Sequence, residues 1–388
     1  MQQRSGADVA RATLAGLCGS LVGIGLARFA YTPLIPAVIA AGWFSPSRAA
    51  YLGAANLSGY LIGALGARAA ARSLSVPWTL RGAMLFATLS FFACAQPFAF
   101  PWFFLWRFLA GVAGGFIMVL AAPAVLALVP AGRRGRVGGA IFTGIGLGIA
   151  ASGVLVPPLL RLGLSATWLG LGGVAAALTV LAWRGWPQAP VPVTEGGRTR
   201  LGGAVMTVIA EYGLNAFGVV PHMIFLVDFV ARGLGRGMAA GAACWIAFGI
   251  GAMFGPALAG VLADRIGFRT ALRLALFAET LAVAAPALST ARSVLWVSAA
   301  VAGAFTPGVV PLALGRIHLE LRPGSEAARS AWGAATVAWA VGQALGAQVF
   351  SVVFARTGSY VPLFASGAAL LLLAFLIDLA GIGRLRPS

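Results

Sequence analysis

The chain has 388 residues, 60% hydrophobic and 9% charged, with a mean hydropathy of +0.94; a soluble domain carries about 25% charged residues. This excludes a water-soluble globule, a disordered chain and, with 3 cysteines, a disulfide scaffold. A net charge of +18 suits nucleic-acid binding in a soluble protein, but here it lies mostly in short breaks between apolar runs, so no nucleic-acid partner is expected.

At roughly 20 apolar residues per bilayer crossing, the apolar content suffices for about twelve crossings. The first run covers 12–40, behind a polar start with Arg4 and Arg11. It is longer than the roughly 7–15 residues of a secretory signal core and contains Arg28, so it reads as an uncleaved first helix. Runs at 49–70, 79–97, 101–130, 138–160 and 166–184 follow, then a second six at 202–231, 238–263, 270–288, 293–320, 327–355 and 361–380. The segment 185–201, GWPQAPVPVTEGGRTRL, is Pro-rich and then polar, the composition of a linker. The expected fold class is an all-α membrane protein, with one six-helix bundle over 1–184, a cytoplasmic linker over 185–201 and a second bundle over 202–388. Cys18, Cys94 and Cys244 fall in separate runs and read as small packing residues.

All 27 basic residues are arginines. With the N-terminus inside, the outer loops hold Arg48, Arg161, Arg232, Arg236, Arg292 and Arg356, Arg28 and Arg107 lie within helices, and the remaining 19 lie inside. Both termini are therefore expected to be cytoplasmic.

The halves read as copies. Gly25-Leu26-Ala27-Arg28-Phe29 with Pro33 matches Gly213-Leu214-Asn215-Ala216-Phe217 with Pro221 at a shift of 188. In the fourth and tenth runs, Val112-Ala113-Gly114-Gly115-Phe116 matches Val301-Ala302-Gly303-Ala304-Phe305 at 189, and Pro123 matches Pro311 at 188. Six crossings return the chain to the same side, so the repeat is parallel, with halves related by an axis along the membrane normal.

Charges inside a membrane are costly, about 2.5–3.5 kcal/mol on insertion scales, and usually face a partner or a watery cavity. Arg28 stands about fifteen residues into its helix, some 22 Å at 1.5 Å per residue, beyond snorkelling range. Tyr31 and Thr32 share its face, and Pro33 and Pro36 loosen the helix beyond. This suits a substrate wall; the alternative is that backbone carbonyls freed by the prolines hold Arg28. Arg107 reads equally as a binding group or as an interfacial arginine beside Trp102 and Trp106, and Gly111, Gly114 and Gly115 after it allow close helix approach. Glu211, Asn215, Gly218 and His222 fall at spacings of four, three and four, forming one polar stripe. A carboxylate near mid-membrane can bind and release a proton during transport; structural pairing of Glu211 with Arg28 is the competing account. Glu279 reads as a packing or interface group on a peripheral helix rather than a site residue. Asn56, Tyr60, Gln343 and Gln348 read as cavity polars or interhelical glue.

The segment Gly260-Val261-Leu262-Ala263-Asp264-Arg265-Ile266-Gly267-Phe268-Arg269 resembles the loop signature of the major facilitator superfamily, Gly-x-Leu-Ala-Asp-Arg-x-Gly-Arg-Lys, with the last two positions changed. Gly260, Asp264, Arg265 and Arg269 are its gating candidates. The corresponding loop of the first half, Gly63-Ala64-Leu65-Gly66-Ala67-Arg68, lacks the acid, so an asymmetric gate is expected. Arg107-x-x-x-Gly111 resembles the helix-four arginine motif that the superfamily associates with proton coupling, while the Gly-Pro antiporter signature is absent from the fifth run. The stretch from Gly25 to Pro36 is similar to the opening helix of the bacterial YbfB/YjiJ-type branch. The resemblance implies two pseudo-symmetric bundles, alternating access and a bacterial inner-membrane location, without a substrate.

The expected function is secondary active transport of a small organic, anionic solute, bound by Arg28 and Arg107 with Tyr31, Asn56, Asn215 and His222, and driven by protons through Glu211 and Arg107. Helices one, four, seven and ten are expected to line the cavity. The alternative is efflux of hydrophobic or amphipathic compounds, suggested by the many Phe and Trp. An enzyme is not expected, because His222 and His318 stand apart and no paired acids or HExxH occur. Without lysine there is no P-loop for an ATP-driven pump. No cofactor or metal is expected; the partners are the solute, the proton and the bilayer, and the protein is expected to be a monomer.

Overall fold

The computed structural model of the chain describes residues 6–130, 133–188, 201–322 and 325–381. Most of the expected linker, 189–200, lies outside them. The described residues form helices and no strands. Twelve spans follow in order: α1 (Gly6–Ala40), α2 (Pro46–Leu74), α3 (Val76–Ala93), α4 (Phe100–Leu126), α5 (Arg134–Leu160), α6 (Leu164–Ala182), α7 (Gly203–Gly233), α8 (Gly237–Ile266), α9 (Phe268–Leu288), α10 (Arg292–Glu320), α11 (Glu326–Thr357) and α12 (Val361–Gly381). Eleven are long and apolar enough to cross a membrane by composition. The other, α2, carries Asn56, Ser58, Arg68 and Arg72 and turns part of that polarity toward another helix rather than lipid: Gln348 of α11 donates to Ser58 Oγ at 3.1 Å.

The spans form two pseudo-symmetric six-helix bundles. In the first, α2 packs on α4, α1 on α5, and α3 on α4 and α6; in the second, α8 packs on α10, α7 on α11, and α9 on α10 and α12. The bundles meet along α2 with α11 and α5 with α8. Small residues permit these contacts, because helices packed in lipid approach closely only where side chains are short. A Cβ on Gly59 of α2 would lie 2.0 Å from the Phe108 carbonyl of α4, and one on Gly251 of α8 would lie 2.0 Å from the Ala300 carbonyl of α10. Gly111 against Asn56 and Gly303 against Phe248 repeat the relation. Each residue in these contacts stands 192 positions from its counterpart. The expected shift of 188–189 is thus displaced by about one helical turn in α4 and α10. Ala/Gly-rich helices recur every three or four residues, so matching such segments by sequence slips by a turn without penalty.

The first and seventh spans are broken. In α1 a regular helix over Gly6–Ser20 widens to a π-turn over Leu21–Leu26 and resumes at Tyr31–Ala40. Pro33 lacks an N–H and crowds the preceding turn, which explains the interruption at 27–30. Pro221 stands at a matching interruption of α7, which ends in a second π-turn, Phe229–Gly233.

Across the seam, α1 from Tyr31 to Ala40 packs on Leu226–Asp228 of α7 and on α8. At the end holding residues 6 and 381 the bundles diverge: Gly6–Ser20 packs on α4, α5 and α6, and Gly203–Gly218 packs on α10, α11 and α12. Gly139, Gly260 and Gly333 near that end have no neighbour that a Cβ would meet. The main seam contacts of these two spans thus lie at the far, closed end, and the end holding residues 6 and 381 is the open one.

Candidate functional site

Arg28 lies at the broken turn of α1 and reaches across the seam. Its Nη2 donates to Gln343 Oε1 of α11 at 2.8 Å and lies 3.9 Å from Met223 Sδ of α7. The guanidinium carbon stands 4.9 Å from the Phe29 ring centre and 5.3 Å from that of Tyr60. The side chain is partly exposed, Nε has no hydrogen-bond partner, and no acidic residue pairs with Arg28 among the described residues. A fork of donors backed by two aromatic faces, with a neutral amide as its strongest partner, is suited to a carboxylate or a similar planar anion. Beside it a cavity of about 20 Å³, enough for one water, is lined by Arg28, Tyr31, Thr32, Asn56 and Met223 among others. Thr32 Oγ1 donates to the Met223 carbonyl at 2.5 Å, tying α1 to α7 on the closed side.

Arg107 is placed differently from the expectation. It is 1% exposed and neither snorkels nor faces the seam. Its Nη1 donates to the Ala27 carbonyl at 2.6 Å and Nη2 to the Arg28 carbonyl at 3.4 Å, with the Tyr31 ring 4.5 Å away. It is Arg107, rather than Arg28, that occupies the carbonyls at the break. Tyr31 donates to the Ala49 carbonyl at 2.9 Å, and Asn56 Nδ2 donates to the Arg107 carbonyl at 3.1 Å. Arg107 and Tyr31 thus fix the turn that presents Arg28. The walls around Arg28 come from α1, α2, α7 and α11 rather than from one, four, seven and ten.

The stripe on α7 is a single face, as its spacing predicts, but it points into the second bundle. Asn215 Nδ2 donates to Glu279 Oε2 of α9. His222 Nε2 pairs with Ser298 Oγ of α10 at 2.8 Å, and its ring meets the Phe364 edge of α12. Since Ser298 donates its own proton to the Ala282 carbonyl at 2.6 Å, His222 Nε2 is the donor and Nδ1 is left as an acceptor without a partner. Glu211 is 1% exposed with both oxygens unpartnered. The charges bearing on it are Asp378, Arg316 and Arg273, so it does not pair with Arg28. Glu279, expected to be packing, is fully buried against Asn215.

At the open end, Arg273 Nε binds Asp378 Oδ2 at 2.7 Å, and Arg316 and Arg269 share Glu320 Oε1 at 3.0 and 3.4 Å. Asp264 and Arg265 are exposed there and form no ion pair among the described residues. Phe268, in place of the signature's arginine, lies over Gly315 of α10. A separate cleft of about 310 Å³ opens at the closed end between α8 and α10, beside Arg236 and Arg292.

Of the residues around Arg28, Tyr60 and Gln343 were open in sequence between cavity and interhelical glue, the commoner fate of polar residues in membrane helices, and the apolar Met223 carried no signal.

A search of the curated proteins gives no match. Among solved structures, a mutant of the nucleoside transporter NupG is similar at a TM-score of 0.74, over 96% of this chain and 99% of that chain, with 14% identity, which establishes a shared fold. The sequence profile described as uncharacterised MFS-type transporter YbfB matches residues 20–379. The chain therefore belongs to the major facilitator superfamily of transporters, within the family of that description.

Proposed function

We propose that the protein carries a small organic solute with a carboxylate or other anionic group by alternating access, with Arg28 as the anchor. The observation that carries this reading is a guanidinium at the junction of the two bundles whose hydrogen-bonded partner is a neutral amide. A cation so placed favours an anion, and an anion reaching it touches both bundles at once. The rocking units are 1–184 and 202–388, joined by 185–201. The arginine bias favours cytoplasmic termini and the resemblance a bacterial inner membrane; on that orientation the described state faces inward. Asp264 and Arg265, exposed and without an ion pair among the described residues, engage when that end closes. The driving ion is the proton, taken up by buried carboxylate of the second bundle with Glu211 as its port. The protein acts as a monomer and as a transporter, not an enzyme.

The test uses protein reconstituted in liposomes, with binding followed by thermal stabilisation against metabolite pools, since a ligand of the folded state raises its stability. Carboxylates are expected to stabilise the native protein and not Arg28→Ala. A nucleoside, the solute in the name of the similar structure, brings no negative charge for Arg28. Stabilisation by nucleosides or lipophilic cations and not by carboxylates would overturn the reading.

A further inference from the structure

Of the buried acids among the described residues of the second bundle, Asp228 and Asp378 are ion-paired with Arg232 and Arg273, whereas Glu211 and Glu279 have no ion pair and stand in different surroundings. Glu211 has the acid Asp378 of α12 bearing on it, and the cations Arg316 and Arg273 of α10 and α9. Two of their donors, Arg273 Nη2 and Arg316 Nε, lack partners. Among the described residues Glu279 forms no ion pair; its polar neighbour is Asn215 of α7. Farther along α7, His222 faces Ser298 of α10, and on α9 itself Thr280 donates to the Leu276 carbonyl.

The unpartnered atoms of this inner stretch are Asn215 Oδ1, Glu279 Oε1 and His222 Nδ1, all acceptors. A buried acceptor without a donor costs about 1–3 kcal/mol, and an uncompensated buried carboxylate costs more. One hydrogen removes most of the conflict. On Glu279 Oε1 it neutralises the acid and supplies the donor that Asn215 Oδ1 lacks, closing a cyclic acid–amide pair whose other arm is the Asn215 Nδ2 to Oε2 bond. Reversing the amide would bring two oxygens together and require the same proton.

We infer that Glu279, paired with Asn215, is the proton-binding site of the second bundle, separate from the seam where Arg28 stands, and that Glu211 is the port through which it exchanges with the open end. Asn215 lies one helical turn from Glu211 and just before the break of α7 at Val219. Rocking that bends α7 there shifts the amide against the acid and exposes or withdraws the proton. This rests on the proposed proton coupling but not on the identity of the solute.

The experiment is infrared difference spectroscopy of the purified full chain at neutral pH, without solute. The native protein is expected to show the C=O stretch of a protonated carboxyl, shifted in heavy water. Glu279→Gln removes it, Asn215→Ala moves it, and Glu211→Gln leaves it in place. Thermal denaturation confirms that each variant is folded. In liposomes, Glu279→Gln is expected to reduce uphill accumulation to the equilibrium ratio while solute exchange continues. No such band at neutral pH, or a band that survives Glu279→Gln and disappears in Glu211→Gln, overturns the assignment while leaving the anion site untouched. A loss of exchange in native protein with every anion tested, with the band present, instead sinks the anion reading alone. Stabilisation of native protein by sodium but not by protons would show a metal cation in place of the proton and overturn it.

Discussion

The Arg107 guanidinium donates to the Ala27 carbonyl at 2.6 Å, from one helix into the broken turn of another. Arg107→Ala leaves that carbonyl and its neighbour without their charged donor. Hydrogen bonds to charged groups contribute about 1.5–3 kcal/mol each, so the variant is expected to lose about that much stability or more, read as a lower melting temperature in detergent. Arg107→Lys, a point donor without the fork, is expected to recover part of it. An unchanged melting temperature together with lost transport would return Arg107 to a role in binding.

Arg28 differs because it is partly exposed and its loss orphans a single amide of Gln343. Arg28→Ala is expected to keep the melting temperature within a few degrees of native and to abolish solute binding and transport. Arg28→Lys keeps the charge but not the bidentate geometry, so its affinity is expected to fall about tenfold or more, equivalent to about 1.4 kcal/mol. Equilibrium binding checks both.

Proton coupling through Glu211 makes a kinetic prediction. An imposed pH gradient is expected to drive solute across liposomes with native protein but not with Glu211→Gln, whereas exchange of labelled for unlabelled solute persists in both. Gradient-driven transport at the native rate in Glu211→Gln would remove it from the proton route.

Two glycines separate close helix contact from open space. A methyl at Gly111 would lie 2.0 Å from the Asn56 carbonyl, whereas nothing stands within 4 Å of one at Gly260. Gly111→Ala is expected to separate α2 from α4 and to cost about 1–3 kcal/mol or more as an overpacked contact. Gly260→Ala is expected to leave the melting temperature unchanged and to slow transport only if that glycine packs against a neighbour in the opposite state, which turnover measurements resolve.

The helix count and the near-equal halves could be read from the sequence because each crossing needs a long apolar run and each break collects arginine, proline or glycine. The repeat was legible to within a helical turn, the period at which Gly111 and its neighbours become interchangeable in composition. The stripe from Glu211 to His222 was legible as a face, since spacing fixes which residues align. Its direction was not, because a face is turned inward or toward the seam by the neighbours it meets, here Glu279 and Ser298. Arg28 was legible as an inward-pointing charge from its depth alone. Gln343 was not, since an amide is as much at home between packed helices as in a cavity.

The partner of Arg28 being Gln343 rather than a glutamate has a consequence for the unloaded carrier. An acid there would neutralise the cation permanently and hold the bundles together against any cargo; no partner at all would leave a bare cation to be enclosed each time the empty protein resets. The amide is a placeholder of intermediate strength, able to accompany Arg28 on the return journey and weak enough to yield when a charged passenger arrives.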